Sequence, residues 1–176
     1  CDGGLDRFVL VDLSADEIAS GWTRIRLDNE SDEPHFALFG LMPEGRGVED
    51  SVRDVVPVFQ DAMDLIVAGD VEEGFDALGA LPDWYGGVVF TGGPGMVSPG
   101  GTSEVVTYLE PGTYVIECYV KTEEGVFHGV HGMIEEITVS EVPHAGQPPA
   151  ADLVVDPSNP VPDDGTAPES GIEMDG

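Results

Sequence analysis

The sequence predicts an all-β fold of barrel or sandwich type, interrupted by a single helical segment. Three observations carry that expectation. Glycine (24 residues) and proline (14 residues) are frequent in a chain of 176, which cuts it into short elements joined by turns. Short runs rich in β-branched and aromatic residues recur, among them WTRIRLDN, TSEVVTYL and TYVIECYV. Sustained helical periodicity is confined to one stretch, residues 47–80. Hydrophobic residues make up 41% of the chain, enough for one domain with a packed core.

Taken in order, residues 1–6 read as a tether and residues 7–13 (RFVLVDL) as a strand. Residues 14–21 read as a turn or a short helical turn. Residues 22–29 alternate, with Trp22, Ile25 and Leu27 apolar among Thr23, Arg24, Arg26 and Asp28, which predicts a half-exposed strand. The polar cluster NESDEP at 29–34 predicts a loop. The run HFALFGLM at 35–42 is apolar on both faces, as a central strand should be. In 47–80, Val52, Val55, Val56, Phe59, Met63, Ile66 and Val67 recur at helical spacing. Asp50 or Ser51 is placed to cap this helix, Pro57 should kink it or start a second one, and Gly69 should end it. Another short helix is expected at 71–81. The helical insertion, taken as residues 47–85, is expected to cover one end or edge of the barrel. Residues 86–101 read as loop with a short strand at 88–91. Strands are then expected at 102–109, 113–120 and 132–140, the first two joined by the tight turn EPG. From Glu141 onward there are 7 prolines and 8 acidic residues in 36 positions and no lysine or arginine, which predicts an extended tail over 141–176.

Charge excludes one class of function. Thirty-five acidic residues stand against 6 basic ones, a formal net charge of −29, so a phosphate backbone would be repelled and nucleic acid is not an expected partner. The acids are spread along the chain, which points to adaptation to salt that screens their mutual repulsion. No run of 18 apolar residues is present, so no transmembrane helix is expected. A mature lipoprotein begins at the cysteine that carries its lipid, so Cys1 is expected to be a lipid anchor on an extracytoplasmic membrane surface. The other readings of Cys1 are an arbitrary boundary and a disulfide to Cys118. The disulfide is disfavoured because Cys118 has a better use.

That use lies in the spacing Cys118-x9-His128-x4-Met133 between two strands, with His35 at the start of an earlier apolar strand. One thiolate, two imidazoles and one thioether form the ligand set of a mononuclear copper site, with His and Cys in a trigonal plane and Met at a longer axial distance. Taken singly, a cysteine, a histidine or a methionine in these places is ordinary core; the order and the flanking strands favour the metal. No GxSxG, HExxH or CxxC motif is present, and the glycines at 86–101 lack the lysine and following helix of a phosphate loop. The acidic loop at 28–33 lacks the ligand spacing of a calcium-binding hand.

The segments NESDEPHFALFGL, YLEPGTYVIECYV and GVFHGVHGMIEEITV resemble the cupredoxin family over residues 7–140. The resemblance implies a cupredoxin-like Greek-key β-sandwich or barrel. It implies one type 1 copper ion held by His35, Cys118 and His128, with Met133 axial. The nine-residue gap from Cys to His departs from plastocyanin-like members and is closer to the copper loop of nitrite reductases. His131 also lies in the loop and is a substitute for His128. The implied function is single-electron transfer by a membrane-tethered carrier, not an enzyme, whose partner is a redox protein such as a cytochrome or a membrane oxidoreductase complex. Two alternatives stand beside it: a non-redox lipoprotein serving as an accessory or scaffold subunit of a cell-envelope assembly, and copper storage or delivery.

Overall fold

The computed structural model describes residues 13–143. The expected tether at 1–6, Cys1, the expected strand at 7–13 except its last residue, and the tail from 144 lie outside the described residues. The elements are β1 (Glu17–Asp28), β2 (Leu38–Leu41), α1 (Val48–Asp54), α2 (Val56–Ala68), α3 (Val71–Ala77), β3 (Val89–Gly92), β4 (Thr102–Leu109), β5 (Gly112–Glu117) and β6 (Ile134–Pro143). Short 3₁₀ turns at Leu78–Ala80 and Asp83–Gly87 lead from α3 to β3. No described helix is long and apolar enough to cross a membrane.

The six strands form one sheet in the order β3-β2-β5-β6-β1-β4. All neighbouring pairs are antiparallel except β1 with β6. The sheet curls until its two edges meet, and Thr107 Oγ1 on β4 donates to the Thr91 carbonyl on β3 at 3.4 Å. The result is a nearly closed barrel with a helical insertion, the all-β class that the sequence predicts. β4 and β5 are consecutive but not neighbours, so the Glu110–Pro111 turn carries the chain across the barrel. Tyr114, fully buried, donates its hydroxyl to the Glu110 carbonyl at 3.2 Å and so ties that crossing without leaving a buried polar atom unpaired.

Two apolar layers hold the domain. Phe39, Leu109, Tyr114, Ile116, Ile137 and Val139 fill the barrel interior. On the outside, Met42, Val115 and Ile134 pack against Val56 of α2, with Val48, Trp84 and Val88 around them. β5 is therefore buried on both faces, one by the barrel and one by the insertion. Burying a side chain such as Leu109 contributes about 2 kcal/mol.

The helices follow local rules. Gly47, not Asp50 or Ser51, is the N-cap of α1; Asp50 instead reaches back from the third helical position to accept from the Gly47 N–H at 3.2 Å. Glu136 of β6 accepts from the Val48 N–H at 2.9 Å, which fixes the start of α1 to the sheet. Pro57 stands in the first turn of α2, where its missing N–H costs nothing. Gly69 ends α2 in the left-handed conformation at φ 100°, with its N–H and that of Asp70 returning to Ile66 and Leu65.

Further expectations need correction, among them the strand at 113–120, which ends at Glu117. Residues 17–21 are strand, not turn, because pairing with β6 (Glu17↔Thr138, Ile18↔Val139) recruits them into β1. Only Leu38–Leu41 of the 35–42 run is strand, because His35 and Ala37 pair instead with a loop, at Val97 and Pro94. Residues 141–143 belong to β6, not to the tail.

Candidate metal centre

The sheet register brings the site together. Leu38 at the start of β2 pairs with Glu117 at the end of β5, and Glu117 pairs with Ile134 at the start of β6. His35 lies three residues before β2, Cys118 one residue after β5 and Met133 one residue before β6. Three adjacent strands thus present three candidate ligands at one end of the barrel. All are buried: His35 at 2%, Cys118 at 1% and Met133 at 5% exposure, with His128 at 1%.

The nine-residue gap between Cys118 and His128 is taken up by a small hairpin. The His128 N–H donates to the Val120 carbonyl at 2.9 Å and the Thr122 N–H to the Val126 carbonyl at 2.8 Å. Gly125, at φ 86°, closes the turn. The two arms return the chain so that His128 stands beside Cys118. Beyond it the chain turns tightly, and the N–H groups of His131 and Met133 both donate to the His128 carbonyl, at 3.0 and 2.9 Å.

The three ligand atoms converge. Cys118 Sγ is 3.8 Å from His35 Nδ1 and 3.8 Å from His128 Nδ1, and the two Nδ1 atoms are 3.0 Å apart. The point equidistant from all three is roughly 2.1 Å from each, the circumradius of that triangle, against about 2.0–2.3 Å for first-row metal bonds to imidazole nitrogen and thiolate sulfur. His35, Cys118 and His128 form the one group of histidine, cysteine and carboxylate side chains with metal-holding spacing among the described residues. The donor set and its spacing fit a single metal ion. His131 is not in the group; it sits half-exposed in the turn. The acidic residues at 28–33 form no such group: Asp28 is held by Arg26 and Thr102, and Glu33 turns to the metal site.

Electrostatics prepare the ligands. Burial, and then the neighbouring His128, hold His35 below the ordinary imidazole value, so it is a neutral donor at pH 7. Burial pushes the Cys118 thiol up, although the backbone N–H groups of Phe36 and Val120 bond the sulfur and oppose this. A bound cation would be what draws out the thiolate. Ser31 Oγ is 2.7 Å from His35 Nε2, which places the ring proton there and leaves Nδ1 free to face the sulfur. Ser31 is in turn held by Asn29 Oδ1 at 2.7 Å, and buried Asn29 donates to the carbonyls of Glu33 and Val97. Glu33 Oε2 stands 2.9 Å from His128 Nε2 but off its N–H axis, so this buried nitrogen has a carboxylate beside it and no aligned hydrogen bond.

No family model and no curated protein matches this chain. Among solved structures, the crystal structure of dithionite-reduced auracyanin from the photosynthetic bacterium Roseiflexus castenholzii is similar, at 19% identity and a TM-score of 0.38, covering 72% of this chain and 86% of that one. A likeness of that size carries no weight for the chemistry, and the site stands on its own geometry.

Of the predicted residues, His35, Cys118 and His128 are brought into one group, and Met133 is buried next to it in the turn that follows His128. Asn29, Ser31 and Glu33 were legible only as a polar loop. An acidic residue in a chain with 35 of them gives no sequence signal that sets it apart.

Proposed function

We propose that this chain is a mononuclear copper protein that passes single electrons. The observation that carries the reading is the buried triangle of His35 Nδ1, His128 Nδ1 and Cys118 Sγ. Two imidazoles and one thiolate suit copper in both of its accessible oxidation states, and copper supplies the one-electron couple. Met133, buried in the turn after His128, would supply a thioether as a further ligand. The protein's own part is to hold these donors fixed. Ser31 sets the His35 tautomer, the hairpin sets His128, and burial keeps water from the donors.

In this reading the chain is a carrier rather than an enzyme. The turn with exposed Val130, between His128 and Met133, is the docking point we assign to a redox protein, such as a cytochrome or a membrane oxidoreductase complex. A lipid on Cys1 would tether the domain to an extracytoplasmic membrane face, and the charge of −29 suits a salt-rich medium. Copper delivery uses the same ligands but needs them open to exchange, and their burial favours electron transfer over it.

The test is visible absorption and EPR after addition of Cu(II), on the wild-type protein and on Cys118→Ser. An intense thiolate-to-copper band with narrow hyperfine splitting, lost in C118S, is the expected result. A wild-type protein that takes up no stoichiometric copper, or colour that survives in C118S, overturns the reading. The domain would then be an accessory or scaffold module.

A further inference from the structure

We propose that the helical insertion is a clamp on the metal-binding hairpin, and that Gln60 of α2 is a positioning residue for His128. The inference rests on the copper reading for its functional meaning and on geometry for its structure. A lone two-stranded hairpin is marginal in water. The hairpin between Cys118 and His128 therefore needs outside support, and α2 provides it at three points.

Gln60 reads the backbone of the returning arm. Its Oε1 accepts from the Phe127 N–H at 2.8 Å, and its Nε2 donates to the Gly125 carbonyl at 3.1 Å. Phe127 precedes His128, so this contact fixes the chain one residue from a ligand. One helical turn on, Asp64 Oδ1 accepts from Gln60 Nε2 at 2.7 Å and from Lys121 Nζ at 3.3 Å. Lys121, on the outgoing arm, also lies 4.6 Å over the Phe127 ring and so ties the two arms together. Phe59, next to Gln60, packs edge-on against Tyr119 at 5.6 Å, directly after Cys118. The helix is itself anchored by Val56 in the outer apolar layer, against Val115 and Ile134. A continuous path of contacts runs from the sheet through α2 to both arms of the loop. Positions 60 and 64 share one face of the helix, so one rigid rod sets both. A metal site on a long loop gains from such support, since ligands must be held to about 0.5 Å for a defined geometry.

Gln60→Met keeps the volume and helix preference of glutamine and removes its two hydrogen bonds to the hairpin together with the one to Asp64. The first readout is amide hydrogen exchange of the metal-free protein at His128 and Thr122, whose N–H groups bond within the hairpin and not to Gln60. Both should exchange about tenfold faster in Q60M, with Val115 and Ile137 in the sheet unchanged. The copper-loaded variant should release copper to a chelator about tenfold faster, with a broadened EPR hyperfine pattern, as loss of an outer support costs about 10–100-fold in metal affinity. Unchanged exchange at His128 and Thr122 overturns the proposal. So does a loosened hairpin with wild-type copper release and spectrum. If Q60M loses protection in the sheet as well, Asp64→Ala, at an exposed side chain, decides instead: faster Thr122 exchange supports the clamp and unchanged exchange overturns it. A wild-type protein that binds no copper removes the functional reading, while the exchange data still decide the clamp.

Discussion

Asn29→Ala tests the support of His35. Asn29 is 4% exposed and its side chain makes four hydrogen bonds. Its Nδ2 donates to the carbonyls of Glu33 (2.7 Å) and Val97 (3.0 Å), and its Oδ1 accepts from the N–H (3.0 Å) and the hydroxyl (2.7 Å) of Ser31. Two of these partners are not orphaned by the change. The Val97 carbonyl keeps the His35 N–H at 3.0 Å, and the Ser31 hydroxyl proton, released from Asn29, can turn to the Glu33 carbonyl at 3.0 Å. The Ser31 N–H loses its acceptor, and a small void opens. At about 1 kcal/mol for each net hydrogen bond, discounted for the partners that remain satisfied, the loss is about 2–3 kcal/mol. This is a large part of the roughly 5–15 kcal/mol that a domain possesses. Urea denaturation of the metal-free protein measures it directly. Asn29→Asp should cost at least as much, since it keeps the acceptor for Ser31 but sets a buried carboxylate oxygen against the carbonyls of Glu33 and Val97. A loss in N29A below about 0.5 kcal/mol would refute the reasoning, because the four bonds would then be matched by water.

Glu33→Gln removes the carboxylate beside His128 Nε2 while keeping its shape. A negative charge there favours the more positive, oxidised metal, so the reduction potential should rise by about 60 mV for each tenfold loss of Cu(II) over Cu(I) preference, read by redox titration. Gly93→Ala would put a Cβ 1.9 Å from the Ala37 carbonyl oxygen, a backbone atom that cannot swing away, and should cost about 3 kcal/mol or more in thermal unfolding. Burial raises the Glu117 carboxyl above its ordinary value of 4.5, against the bond donated by Tyr119. The folded state then holds that proton more tightly than the unfolded chain, so this group lowers stability as pH rises from 4.5 through the raised value. Glu117→Gln should remove that slope and gain on the order of 1 kcal/mol at pH 7, checked by denaturation at a series of pH values.

The strands and helices were legible where local chemistry sets them. Pro57, Gly69 and the EPG turn act on their own backbone, so the breaks they signal stand where the sequence puts them. Legibility failed where a distant partner decides. Residues 17–21 are polar and small, and only β6 makes them strand. Asp50 was recognised as a helix-start residue but assigned to the wrong position, because Gly47 offers no side chain to mark the cap. In the site, His35, Cys118 and His128 were marked by type and order, since few residues bind soft metals. Gln60 and Glu33 carry no such mark. Their roles depend on what lies across from them.

The sequence by itself determined the all-β class, the place of the helical insertion and the candidate ligands, because propensity, turn chemistry and donor type are properties of short segments. Only the tertiary structure places the His128 ring, and not that of His131, in the group with Cys118, since it takes a folded hairpin to bring that ring to the sulfur. It also decided the supporting shell, in which Ser31, Glu33 and Gln60 touch the ligands or the backbone beside them. Those contacts join residues up to 95 positions apart, Glu33 to His128 in one case, and are set by the register of β2, β5 and β6.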